Sequence, residues 1–79
     1  MTASKFYIAI ELYLDGEHES MMFYSSFDTL VRDMDSKFHV DDFEDVQDVI
    51  DFLNDQEADD IQYLFDIPIN TMDWEFKAA

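Results

Sequence analysis

The sequence predicts an α+β fold, in which two helices pack on one face of an antiparallel sheet made of an N-terminal hairpin and one or two C-terminal strands. Three observations predict this class. Apolar residues alternate near both ends of the chain, they recur every three or four residues in the middle, and an Asp-Gly pair follows the first alternating segment. With 79 residues, the chain is expected to form a single compact domain over residues 1–79.

A β-hairpin is predicted at the start of the chain. From Lys5 to Leu14 every second residue is apolar, which is the period of a strand with one buried face. Asp15-Gly16 follows, and this dipeptide readily adopts the positive φ angles of a two-residue turn. A second strand, from about Glu19 to Tyr24, is expected to pair back antiparallel to the first.

Two helices are predicted in the middle of the chain. Ser25-Ser26 offers a cap for the first, and apolar residues at helical spacing extend it from Phe27 to about Lys37. Asp41 or Asp42 is expected to cap the second helix. Its apolar face runs from Phe43 to Leu53, and it is expected to end near Asn54.

The last third of the chain is predicted as a polar turn followed by strands. The turn covers Asp55 to Asp60. Ile61 to Ile67 fits both the alternation of a strand and one face of a short helix, and the strand is the preferred interpretation. Pro68 ends this segment, since proline cannot donate to a strand ladder. Met72 to Phe76 alternates again and predicts a closing strand.

Several function classes are excluded by composition. The absence of Cys excludes disulfides, thiolate zinc sites and a cysteine nucleophile. The longest apolar run, Phe6 to Ile10, is too short to span a bilayer, so a cytoplasmic protein is expected. His18 and His39 have no recognisable catalytic partners, and a calcium loop would need a glycine that the acidic segments lack. We therefore expect no enzyme activity, no cofactor and no dedicated metal site.

Negative charge is the strongest signal in the sequence. Twenty acidic and four basic residues give a formal net charge of −16, and thirteen carboxylates but no Lys or Arg lie between Phe38 and Phe76. On the second predicted helix, acidic residues recur every three or four positions from Asp41 to Asp55, which predicts one solvent-facing stripe. The candidate partner-binding residues are Asp41, Asp42, Glu44, Asp45, Asp48, Asp51, Asp55, Asp59 and Asp60.

This charge indicates a basic partner. Nucleic acids and anionic membranes repel such a chain, whereas a row of carboxylates can occupy the Lys and Arg sites that a DNA-binding protein keeps for phosphates. Self-repulsion also weakens the fold, so folding alone does not explain the composition. A merely solvated face, adaptation to high salt and weak cation binding stay open as alternatives. Exposed apolar groups on one sheet face could allow a homodimer, but the charge opposes association, so a monomer is expected.

In size, charge, lack of Cys and α+β pattern, the whole chain resembles small acidic inhibitors carried by phages and mobile elements. It is most similar to anti-CRISPR proteins that mimic DNA and inhibit type I systems, including type I-C. The segments that carry the likeness are the opening strand Phe6 to Leu14 and the acidic helix Phe43 to Asn54.

The resemblance implies a protein of the host bacterial cytoplasm that inhibits a type I CRISPR surveillance complex. It would bind the basic DNA channel, at the large subunit that reads the PAM, and so prevent target DNA from docking. Two alternatives remain open. One is a DNA mimic that inhibits another DNA-handling protein, such as a restriction enzyme, a uracil-DNA glycosylase or a nucleoid protein. The other is an acidic adaptor for a basic partner.

Overall fold

The computed structural model describes residues 8–79, which form a three-stranded antiparallel sheet and three helices. The order in the sheet is β2-β1-β3, so β1 is the central strand. The predicted α+β class is confirmed, with three helices in the described chain instead of two. The strands are β1 (Ile8–Leu14), β2 (Glu17–Tyr24) and β3 (Trp74–Ala78), and the helices are α1 (Phe27–Phe38), α2 (Val46–Asn54) and α3 (Ala58–Phe65).

The predicted hairpin is confirmed within the described residues. Asp15 and Gly16 have φ angles of 54° and 80°, and Leu14 pairs with Glu17 across this two-residue turn. The register shifts beyond the turn, where Glu19 is the extra residue of β2, and β2 begins earlier than the predicted Glu19. The predicted first residues of β1, Lys5 to Tyr7, lie outside the described part of the chain.

Helix α2 begins at Val46, so the predicted cap at Asp41 or Asp42 is wrong. Asp45 is the N-cap, and its carboxylate accepts a hydrogen bond of 3.0 Å from the backbone N–H of Asp48. The Asp48 carboxylate accepts in turn from the backbone N–H of Glu44 at 2.9 Å. This exchange of hydrogen bonds across the first turn fixes the start of the helix.

The loop before α2 explains why the helix was predicted too early. Phe43 fits the apolar period of the helix but lies in the loop, where its ring packs edge-on against Phe52 with centroids 5.4 Å apart. An apolar residue that packs from a loop satisfies the same pattern as one on the helix. Among several successive aspartates, only the contacts of the folded chain select the cap.

The preferred strand at Ile61 to Ile67 is wrong, because residues 58–65 form α3. Ile61 is fully buried, whereas Tyr63 is 85% exposed, so the side that faces the core follows the helical period. The helix ends at Asp66, which has a left-handed φ of 55°. The polar turn before α3 is correspondingly shorter than predicted, and the final strand β3 begins at Trp74 instead of Met72.

The hydrophobic core lies between the three helices and one face of the sheet. No polar or charged residue of the described chain is buried, so all its carboxylates reach the surface. The buried residues are Ile10, Leu12, Tyr24 and Phe76 from the sheet, Leu30 and Met34 from α1, Val49, Ile50 and Leu53 from α2, and Ile61 from α3.

Two polar contacts fasten the helices to the sheet. The Asn54 side chain donates to the backbone carbonyl of Phe76 at 3.0 Å and accepts from its N–H at 2.7 Å, which ties the end of α2 to the edge strand β3. The Tyr24 hydroxyl on β2 donates to the Asp33 carboxylate on α1 at 2.6 Å. Burial, followed by the hydrogen bond to Asp33 and its charge, raises the pKa of Tyr24.

The second of these contacts extends to α3. Asp33 also pairs with the Lys37 ammonium one turn further along α1. The Lys37 nitrogen lies 5.1 Å from the ring centroid of Phe65 on α3, within the range of a cation–π interaction. The chain of contacts from Tyr24 to Phe65 thus connects β2, α1 and α3.

Candidate partner-binding surface

All nine predicted partner-binding residues are exposed, and they lie on three successive parts of the chain. We call residues 41–60, which contain them, the acidic segment. Asp41, Asp42, Glu44 and Asp45 lie in the loop before α2, Asp48 and Asp51 lie on α2, Asp55 is its C-cap, and Asp59 and Asp60 lie in the first turn of α3.

The structure brings Asp48, Asp51 and Asp55 together on the outer side of α2. At 3.6 residues per turn, the three positions fall within about 60° of one another around the helix axis. The opposite side of the helix is buried in the core. We call these three residues the α2 row. The earlier part of the predicted stripe is not helical, because Asp41 and Glu44 precede the first turn.

The carboxylates of the acidic segment differ in what they do inside the protein. Those of Asp45 and Asp48 accept backbone hydrogen bonds at the start of α2, and Asp51 accepts one of 2.9 Å from the Gln47 amide. Within residues 8–79, no hydrogen bond or ion pair engages the side chains of Asp55 and Asp59. The same is true of Asp41, Asp42, Glu44 and Asp60.

Positive charge lies elsewhere in the described chain. Arg32 pairs with Asp28 at 3.1 Å on α1, and Lys37 pairs with its neighbour Asp33. The Lys77 ammonium on β3 lies 3.8 Å from the Glu75 carboxylate. None of these side chains reaches the acidic segment. The like charges of the acidic segment therefore repel one another, and the basic residues within residues 8–79 do not compensate them. Each pair of carboxylates at helical spacing destabilises the fold by a few tenths of a kcal/mol.

An exposed aromatic side chain stands among the carboxylates of α3. Tyr63 lies one turn after Asp59 and Asp60 and shortly before Asp66, on the side of the helix that faces solvent. Tyr63 was not among the predicted partner-binding residues. The signal that identifies it is the helical period around Ile61, which the strand interpretation obscured.

A second surface lies on the sheet, outside the nine predicted partner-binding residues. On the face away from the helices, the Glu11 carboxylate accepts from the Tyr13 hydroxyl at 3.3 Å and pairs with His18 Nε2 at 3.2 Å. Partial desolvation, followed by the charge and hydrogen bond of Glu11, raises the pKa of Tyr13. The Lys77 ammonium lies 4.9 Å from the Tyr13 ring centroid. Strand register, which is not visible in the sequence, assembles this cluster.

Neither a cluster of metal ligands nor a membrane-spanning helix is present in the described residues. Between residues 8 and 79, no group of three His, Asp or Glu side chains is arranged to hold a metal ion. No helix in that part of the chain has both the length and the apolar character needed to cross a bilayer.

Comparisons with known proteins identify no relative of this chain. No protein-family model matches the chain, and no curated protein or solved structure matches it either. The charge, exposure and spacing of the acidic segment, together with Tyr63, are the observations on which a function can be based.

Proposed function

We propose that the protein is a DNA-mimic inhibitor, which binds a basic DNA-binding protein and occupies the cleft that DNA would otherwise enter. The observation that carries this proposal is the acidic segment. All ten of its carboxylates, the nine candidates and Glu57, are exposed, and no basic side chain of the described residues compensates them. Such a surface is unfavourable for the isolated fold and favourable beside Lys and Arg of a partner.

The α2 row supports mimicry of phosphates in particular. Residues three or four apart on a helix have Cβ atoms about 5–6 Å apart. Phosphates of one DNA strand rise about 3.4 Å each along the axis, and the path between them is longer because the strand winds. The α2 row therefore resembles a row of phosphates in sign and, to a first approximation, in spacing.

The rigidity of α2 also supports the proposal. Asp45 and Asp48 fix its first turn, Asn54 joins its end to Phe76, and its inner side is buried. A preorganised row of charges loses less conformational entropy on binding than a flexible acidic tail. The same carboxylates on a disordered chain are expected to bind a given basic cleft more weakly.

Tyr63 indicates a protein partner in preference to small cations. Exposed Tyr side chains are frequent anchors in protein interfaces, where a large ring is buried at low entropic cost. Tyr63 is 85% exposed and lies beside Asp59 and Asp60. A cleft lined by Arg can pair with these carboxylates and stack a guanidinium on the ring at the same time.

The resemblance seen in the sequence narrows the proposed target to a type I CRISPR surveillance complex, including type I-C. The contact is then the basic DNA channel of the large, PAM-reading subunit, inside the host bacterial cell. Nucleic acid and anionic membranes are not expected as partners, because both repel the acidic segment. The alternative targets are a restriction enzyme, a uracil-DNA glycosylase or a nucleoid protein, which share the need for a basic DNA-binding surface.

A competition assay tests this function. Labelled target duplex is bound to a purified type I-C surveillance complex, and fluorescence anisotropy is followed as the protein is added. We expect displacement of the duplex, which weakens as salt is raised from about 50 to about 200 mM because the contacts are electrostatic. A ternary complex that retains the duplex would contradict mimicry and favour the adaptor. The same titration with the other DNA-binding proteins identifies an alternative target.

Matched variants test which carboxylates bind. The triple variant Asp51→Asn, Asp55→Asn and Asp59→Asn is expected to weaken displacement roughly tenfold, or about 0.5 kcal/mol for each carboxylate. The control removes three exposed charges outside the acidic segment, through Glu17→Gln, Glu19→Gln and Asp35→Asn. Equal losses in the two triple variants would show that net charge alone matters and that the acidic segment is the wrong surface.

A further inference from the structure

The sheet has an open face on the side away from the core. Across residues 8–79, no helix packs on this face, and none of its side chains is buried. We call it the open face, and strand register places its side chains in three rows. Phe23 lies opposite Ala9, Met21 and Lys77 lie on either side of Glu11, and His18 and Glu75 lie on either side of Tyr13.

One corner of the open face is apolar. Phe23 is 68% exposed and neighbours the small Ala9 across the strands, with Met21 next to it on β2. The backbone N–H of Ala79 donates to Ala9 at 3.0 Å, so another small side chain follows on the far side of β1. A large aromatic ring left in water beside small residues provides apolar area that a partner can cover.

The rest of the open face is polar but nearly neutral. Glu11 is paired with His18, and Lys77 lies near both Glu75 and the ring of Tyr13. Two carboxylates and one ammonium give the face a formal charge of −1 when His18 is neutral, against −16 for the whole chain. The open face therefore differs in character from the acidic segment, and it has no excess charge with which to select a basic protein.

We propose that the open face is a self-association surface, on which a second copy of this chain packs sheet against sheet around a two-fold axis. The charge pattern favours this occupant. Because the face carries both signs, a two-fold arrangement can bring the ammonium of each copy near a carboxylate of the other. The apolar corners can cover each other in the same arrangement. This inference does not depend on the proposed function.

The layering of the fold answers the objection that charge opposes a dimer. The acidic segment belongs to the helical layer, on the other side of the sheet from the open face. Two stacked sheets are about 10 Å apart, and each helix adds about 10 Å more. The two acidic segments then lie roughly 30 Å apart, more than three Debye lengths at physiological ionic strength. Their mutual repulsion is largely screened.

The size of the open face limits the strength of the dimer. Three strands span roughly 14 Å by 20 Å, which is less than the roughly 800 Å² per partner of a standard interface. We therefore expect a dimer that forms at high protein concentration and dissociates on dilution. Salt is expected to strengthen it, because at low ionic strength the repulsion between two copies of net charge −16 outweighs the few ammonium–carboxylate contacts between them. Salt weakens the binding of a basic partner instead.

Sedimentation velocity of the full chain tests the proposal. The chain is measured from about 10 μM to about 1 mM at about 0.05 M and about 0.5 M salt, a range that spans strong and weak screening. We expect the apparent mass to rise from 9.4 kDa toward twice that value, with association several-fold stronger at the higher salt. A mass of 9.4 kDa at every concentration and both salts would overturn the proposal.

Matched single variants locate the interface. Phe23→Ser changes an exposed side chain, so the fold is expected to persist, as circular dichroism can verify, and association is expected to fall at least tenfold. Tyr63→Ser removes an even more exposed aromatic ring from α3 and is expected to leave association unchanged. Loss of the dimer in Tyr63→Ser but not in Phe23→Ser would place the contact on the helices and overturn the proposal. Neither outcome decides whether the acidic segment displaces DNA.

Discussion

Helices α2 and α3 are alike in length and in their acidic first turns, but they use these carboxylates differently. At the start of α2, Asp45 and Asp48 are engaged in hydrogen bonds with the backbone. At the start of α3, the N-cap Glu57 makes no side-chain capping bond, and the side chains of Asp59 and Asp60 point away from the core. The comparison separates carboxylates that hold the fold from those that remain available to a partner.

The two helices also differ in how firmly they are attached. Helix α2 buries Val49, Ile50 and Leu53, whereas α3 buries only Ile61. Phe65 adds partly buried contacts, with the Lys37 ammonium and with the rings of Phe38 and Phe76. We therefore expect α2 to be part of the stable centre of the molecule and α3 to open more readily.

The largest expected effect comes from the core. Leu53→Ala is expected to lower the free energy of unfolding by about 2–5 kcal/mol, as for other fully buried leucines. Ile61→Ala is expected to lower it less, because α3 can detach while the rest stays folded. Urea denaturation gives the stability, and amide hydrogen exchange shows where protection is lost. If both variants lose amide protection equally in every helix and strand, α2 and α3 do not differ in how firmly they are attached.

The caps of the two helices provide the next comparison. Asp45→Ala is expected to lower the free energy of unfolding by about 1 kcal/mol, because it leaves the backbone N–H of Asp48 without its partner. This corresponds to a fall in Tm of about 4–8 °C for a domain of this size. Glu57→Ala is expected to leave Tm nearly unchanged. Thermal unfolding followed by circular dichroism measures both, and similar shifts would mean that capping does not distinguish the helices.

Tyr24 tests the contacts that lead to α3. Tyr24→Phe removes the hydrogen bond to Asp33 and is expected to destabilise the fold at neutral pH by about 0.5–1 kcal/mol. Since the pKa of Tyr24 is raised in the fold, the native state retains the proton more strongly than the unfolded chain. The contribution of Tyr24 to the free energy of unfolding is complete below about pH 10, which is the pKa of tyrosine in the unfolded chain, and it is lost as the pH rises further.

The measurement for Tyr24 is the pH dependence of stability. Denaturation at several alkaline pH values is expected to show a steeper decline in the unmodified protein than in Tyr24→Phe. Tyr63→Phe, at an exposed tyrosine, serves as the control and should keep the steep decline. If both variants decline in the same way, the linkage assigned to Tyr24 is wrong.

The smallest expected change in stability compares a carboxylate at the C-terminal end of α2 with one at the N-terminal end of α3. Asp55 lies at the negative end of the α2 dipole, so Asp55→Asn is expected to raise stability by a few tenths of a kcal/mol. Asp59 lies at the positive end of the α3 dipole, where the lost dipole attraction offsets the relieved repulsion. Asp59→Asn should therefore change little. Urea titrations at about 0.05 and about 0.5 M salt measure both effects, which should shrink as salt screens them.

The parts of the fold that local chemistry determines were predictable. Asp15-Gly16 specifies its turn through two positive φ angles, and the alternating apolar residues of β1 identify its buried face. Helix α3 was not predictable in this way, because Ile61 and Phe65 satisfy the period of a strand as well as that of a helix. Contact of Ile61 with the core decides between them, and that contact is not local.

The candidate surfaces show the same limit. The exposure of the nine carboxylates followed from their charge alone. That Asp45 and Asp48 are engaged at the start of α2 depends on a backbone geometry that several aspartates could have provided. The open face depends on the pairing of Glu11 with Lys77, which are far apart in the sequence, so no local pattern predicts it.

The Asn54 side chain has a consequence for assembly beyond its role in joining α2 to β3. Its amide satisfies the outward N–H and carbonyl of Phe76, as the backbone of an added strand would. A foreign strand cannot pair there without first displacing it. If two copies pair through their β2 edges, both outer edges of the joined sheet are β3 edges that Asn54 covers, so strand addition does not continue into a cross-β filament.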